Sequence, residues 1–194
     1  MYILLSVLAS TFIFILFKVL GTYKIDTSKA IVINYLTACL FGFFIHPKPI
    51  DIADIATEKW FYGAILLGFL FIIVFNVMAI TAQKNGLSVA SVASKMSLVI
   101  PVVSGILIYG EALNSTLIIG IVLALLSVYL TASKSNTATN LRQNLMFPIF
   151  LFVGTGVIDT SIKFIQVSSL AKDDISIFSA SIFCFAALFG LLQL

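Results

Sequence analysis

Apolar residues in this chain come in long runs, and short polar breaks divide one run from the next. Seven runs can be drawn: Tyr2–Leu20, Lys29–Ile45, Trp60–Ala82, Ser88–Tyr109, Leu113–Thr131, Phe147–Ser168 and Ile175–Leu194. Each holds roughly 17–23 residues, enough for a helix to cross a hydrocarbon core of about 30 Å. The breaks GTYKIDTS, HPKPIDIADIATEK, QKNG, GEA, KSNTATNLRQN and SLAKDD are polar and carry the Gly, Pro and Asn that interrupt helices. The alternating segments of about ten residues that a transmembrane barrel needs are absent from the sequence. The pattern therefore predicts an all-α, polytopic membrane protein with about seven transmembrane helices.

Composition points the same way. Of 194 residues, 61% are hydrophobic and only 10% charged, too little charge to solvate the surface of a soluble domain. The lipid bilayer is thus the first expected partner. The net charge of +3 is spread over loops and helix ends rather than gathered in a stripe, so no nucleic acid partner is expected. Cys39 and Cys184 lie inside apolar runs, which reads as neither a disulfide framework nor a metal-ligand spacing. No cofactor or metal is expected. The first run has small residues around Leu8, Ala9 and Ser10, as a signal peptide would. No positive region precedes it and it stays apolar to Val19, which favours a mature spanning helix. Trp60, Phe61 and Tyr62 open the third run and read as an interfacial belt.

The two parts of the chain resemble each other. Laying Met146 on Met1 places Lys163 on Lys18. Three residues further on in that register, Ala186–Gly190 (AALFG) falls on Ala38–Gly42 (ACLFG). This predicts a first five-helix repeat over residues 1–133, a linker over 134–145 and the start of a second repeat over 146–194. Two such repeats would make ten helices, the second repeat being truncated here because the seventh run stays apolar to Leu194. An odd number of helices per repeat inverts one repeat relative to the other, an arrangement typical of secondary transporters. Counting lysines, with Lys48, Lys59 and Lys172 on one side and Lys18, Lys24, Lys29, Lys84, Lys134 and Arg142 on the other, places the N-terminus outside.

The fourth run carries the most chemistry. On a helical wheel Ser88, Ser91, Ser94, Lys95, Ser97, Pro101, Ser104 and Gly105 share one arc. Val89, Val92, Met96, Val99, Ile100, Val103, Ile106 and Leu107 share the other, which suits lipid. A lysine near the bilayer centre costs roughly 2.5–3.5 kcal/mol on insertion scales, so its arc should face protein or a hydrated cavity. The plainer reading is close helix packing at the serines and Gly105, with Lys95 neutralised by one carboxylate. Asp159, in GTGVIDTSIKF, is the obvious carboxylate, and Lys163 follows it by one helical turn. Asn76 is a further intramembrane polar side chain. Pro101 removes a backbone hydrogen bond in mid-helix, and Glu111 is expected to cap the following helix with Asn114 and Ser115.

The stretch VASKMSLVIPVVSGILIYGEALNSTLIIGIVLALLSVYL resembles the EamA-type pattern of the drug/metabolite transporter superfamily. Pro101, Gly110, Glu111 and Gly120 fall on that pattern, as do Lys18 and Lys163 near the ends of the first helix of each repeat. The resemblance implies ten helices in two inverted repeats, a cytoplasmic N-terminus, and the export or import of small metabolites. The implied orientation is the reverse of the one the lysines give.

The expected function is a secondary transporter in the plasma (inner) membrane that moves a small polar metabolite, amino-acid-like or otherwise anionic or zwitterionic, by alternating access. Lys95, Ser91, Ser94, Ser97 and Asn76 are the expected substrate contacts, and Asp159 and Lys163 the counter-ion or proton-coupling groups. Pro101, Gly105 and Glu111 are expected to be structural. A helical assembly partner is the alternative, and a homodimer stays open. A membrane enzyme is disfavoured, since the single histidine, His46, sits in a loop.

Overall fold

Runs this apolar satisfy their backbone groups only as helices, because the hydrocarbon core offers no other hydrogen-bond partner. The computed structural model describes residues 2–45, 55, 57–110, 114–133, 141–168 and 174–194. These form eight helices: α1 (Tyr2–Thr22), α2 (Thr27–Ile45), α3 (Phe61–Lys84), α4 (Leu87–Met96), α5 (Val99–Tyr109), α6 (Ser115–Ser133), α7 (Leu141–Ser168) and α8 (Ile175–Gln193). No strand occurs among the described residues. Among the described residues six stretches are long and apolar enough to cross a membrane: Leu4–Thr22, Thr27–Ile45, Phe61–Lys84, Leu87–Ile108, Leu145–Ser168 and Ile175–Gln193. A shorter apolar stretch, Ser115–Ser127, lies in α6. The protein is an all-α, multi-span integral membrane protein. α7 starts at Leu141, ahead of the expected Phe147, because Leu141–Asn144 extends the helix into the polar break.

The fourth expected segment is two helices rather than one. Pro101 has no N–H to give the Ser97 carbonyl. The Ile100 N–H, one residue earlier, bonds that carbonyl instead at 2.9 Å, and the Ser97 hydroxyl donates to the Ser94 carbonyl at 2.6 Å. The backbone tightens over Ser97 and Leu98, and the ladder resumes in α5. Gly86 (φ 101) turns the chain from α3 into α4, and Gly110 (φ 65) ends α5 with its N–H bonded to the Ile106 carbonyl. Both positions use the left-handed freedom that glycine has. Glu111 lies outside the described residues.

The described chain divides by packing into two compact units, Met1–Thr27 with Asn76–Thr160, and Ser28–Phe75 with Ser161–Leu194. In the first, α4 packs against both α1 and α6. Phe14 and Phe17 of α1 are buried there, and Gly156 of α7 lets the Ile100 side chain of α5 lie directly on the helix, since a Cβ would overlap it. The expected lipid-facing arc of the fourth segment is corrected by this packing: Val89 is buried and Ile100 meets α7. The wheel assumed one straight helix with a lipid-facing side, whereas α4 is packed by α1 and α6 and the joint at Ser97–Leu98 breaks the register for Ile100.

In the second unit, small residues let helices meet closely. Gly42 of α2 faces Ala180 of α8, and Gly190 of α8 faces Val32 of α2 and Ile72 of α3. Late residues of α2 thus meet early residues of α8 and the reverse, so the two helices run antiparallel. Gly68 of α3 sits against Ile182, Phe185 and Ala186 of α8. Tyr35 is buried among Phe71, Phe75 and Phe183, and its hydroxyl donates to the Phe71 carbonyl at 3.2 Å. Two sequence expectations are overturned here. Cys39 and Cys184 form a disulfide, with Cα atoms 5.1 Å apart, because the antiparallel crossing joins positions 145 residues apart in sequence. Trp60 belongs to the core rather than to an interfacial belt, being 2% exposed and edge-on to Phe178, whereas Tyr62 is 78% exposed.

Candidate functional site

Three helices of the first unit bring polar groups together. α4 carries Lys95, whose ammonium donates to the Ser10 hydroxyl of α1 at 3.1 Å. Ser10 in turn donates to the Ser6 carbonyl at 2.8 Å, which fixes its oxygen as an acceptor for the ammonium. The third contributor is α7. Its contact with Ile100 through Gly156 sets the register, and Asp159, three residues on and half-buried, lies within electrostatic reach of Lys95. The arrangement is a cation held by a neutral oxygen, with a carboxyl group on a separate helix within electrostatic reach. Such groups can release one another for a ligand of either sign at modest cost, unlike a closed ion pair.

The expected residues distribute unevenly. Ser91 and Ser94 are half-buried on α4 beside Lys95. Ser97 is fully buried and its hydroxyl is bonded to the Ser94 carbonyl, so it serves the joint. Pro101 and Gly105 are buried in α5. Asn76 lies in the α3 portion of the same unit, half-buried. Lys163 is exposed on α7 within the second unit.

Ser10 is the residue that sequence reasoning missed. Its signal is weak but real: Ser10, Phe14, Phe17 and Gly21 recur at helical spacing on α1, and the two phenylalanines on that stripe are buried.

Residues 1–133 match the EamA-like transporter family. The chain belongs to that family. An uncharacterized protein of Haemophilus influenzae is 28% identical over 168 residues, covering 83% of this chain and 57% of that protein. The chain therefore spans little more than half the length of the curated relative it matches. No solved structure matches it. As an EamA-like protein with several apolar spans it is embedded in a membrane. Among the described residues no group of three or more His, Cys, Asp and Glu side chains could hold a metal ion.

Proposed function

We propose that this EamA-like protein moves a small metabolite bearing a carboxylate, amino-acid-like or otherwise anionic or zwitterionic, by alternating access across the plasma (inner) membrane. The observation that carries the reading is the Lys95 ammonium held by Ser10 at 3.1 Å within a membrane-spanning segment, with the half-buried Asp159 within electrostatic reach. A carboxylate arriving at Lys95 takes the ammonium's other donors beside Ser10 and competes with Asp159. Asp159, relieved of its cation, then takes a proton, and that exchange couples flux to the proton gradient. Ser91 and Ser94 supply hydroxyls on the same helix, and Asn76 a further polar contact.

The joint between α4 and α5 suits this role, since interrupted helices at a polar site let backbone and side chain reorient without unfolding. Support for inverted repeats comes from the α2–α8 seam. In the register that lays Ala186–Gly190 on Ala38–Gly42, Gly190 is the counterpart of Gly42 and Ala180 that of Val32. The contacts Gly42–Ala180 and Gly190–Val32 then exchange under a two-fold rotation, as expected of an axis between inverted repeats.

Proteoliposomes test the reading. Lys95→Met should abolish uptake of the transported amino or carboxylic acid while the protein stays folded in the bilayer. Undiminished uptake by that variant sinks it.

A further inference from the structure

We propose that the cavity at the C-terminal end of α1, lined by Lys18, Gly21, Thr22 and Gln83, binds a single phosphate or carboxylate group. It stands apart from the Lys95 site and from the transport reading, because binding there requires no flux. The cavity measures about 260 Å³, below the roughly 300–1,000 Å³ of sites for larger ligands and ample for one anionic group.

Its lysine favours an anion strongly enough to offset the carbonyl-bearing C-terminal ends of α1 and α3 that meet here. The Lys18 ammonium donates to the Gln83 backbone carbonyl at 3.2 Å, which positions it over the cavity while spending one of its three donors. Gln83 forms a fixed wall. Its amide group donates to the Phe17 carbonyl at 3.1 Å and to the Thr27 hydroxyl at 2.9 Å, tying α3 to α1 and to the first residue of α2. The absence of a side chain at Gly21 makes room, since a Cβ there would stand 2.7 Å from Gln83 Cγ. Thr22, whose hydroxyl donates to the Lys18 carbonyl at 3.0 Å, can rotate to add a second donor. Lys18 is the charged residue in the cavity lining, and Lys84, next to Gln83, lies with its ammonium 5.0 Å from the Phe147 ring centroid.

The place on α1 also separates this cavity from the Lys95 site. Ser10, Phe14, Phe17 and Gly21 share one face of the helix, with a polar station at each end and two buried aromatic rings between them. By helical rise the stations are about 16 Å apart. The two lysines therefore serve separate stations on α1.

The test uses the full chain in nanodiscs of phosphatidylcholine, titrated with inorganic phosphate or acetate while its unfolding temperature is followed. A parallel set replaces part of the lipid with phosphatidylglycerol. The unfolding temperature should rise with an anion, the rise should vanish in Lys18→Met, and it should persist in Lys18→Arg and Lys84→Met. A rise with phosphate or acetate in neutral nanodiscs identifies a free anion as the ligand. A rise with phosphatidylglycerol alone identifies a lipid headgroup. Should Lys18→Met fail to fold, Gly21→Leu, which fills the cavity, must remove the response. Equal responses in wild type and Lys18→Met, or no response to any of the three anions, overturns the proposal.

Discussion

The Lys95 ammonium and the Ser10 hydroxyl meet at 3.1 Å although 85 residues separate them in sequence. A cation in a membrane span is held here by an uncharged oxygen, which orders the side chain without cancelling its charge. Replacing the oxygen should loosen the ammonium and leave the charge in place. Ser10→Ala is therefore expected to weaken apparent substrate affinity by about tenfold while retaining flux at saturation. Concentration-dependent uptake in proteoliposomes measures this, and an unchanged half-saturation concentration would count against the contact.

Asp159 offers a separate handle. Asn at this position has the shape of the acid but carries no titratable proton. Asp159→Asn is expected to abolish uptake driven by a pH gradient, while exchange of labelled for unlabelled substrate without a gradient continues. Gradient-driven uptake persisting in this variant would eliminate the proton role.

The packing of α7 on α5 depends on Gly156. A side chain there must displace Ile100, and overpacking of this kind costs typically about 1–3 kcal/mol. Gly156→Ala should lower thermal stability in detergent, and Ile100→Ala introduced with it should recover part of the loss. Additive losses in the double variant would mean the two residues do not share the contact.

The Cys39–Cys184 bond closes a loop of 145 residues between α2 and α8. Alkylation of the denatured protein should label neither cysteine before reduction and both after it. Cys39→Ser should reduce stability by about 2–4 kcal/mol. Free thiols without reductant would refute the bond.

The spanning helices were legible in the sequence because run length and hydropathy alone dictate them. Pro101 announced an interruption, but only the backbone shows that it falls at Ser97–Leu98, and a wheel drawn through that joint put Val89 and Ile100 toward lipid when both are packed. Lys95 and Asp159 stood out as charges in apolar surroundings. Ser10 did not, since a serine in an apolar helix commonly bonds its own backbone and nothing in its neighbours reveals a distant lysine. The pairing of Cys39 with Cys184 was hidden for a related reason: each sits in an ordinary apolar stretch, and only the antiparallel crossing aligns them.

That crossing constrains how the molecule can change. Each helix brings one notch and one tooth, Gly42 for Ala180 and Gly190 for Val32, so the fastening has the same make on both sides. A bulkier residue in one notch can be accommodated only by trimming the tooth opposite, on the other helix, and never by repeating the alteration at the twin notch. The two helices are thereby bound to change as complements rather than as copies.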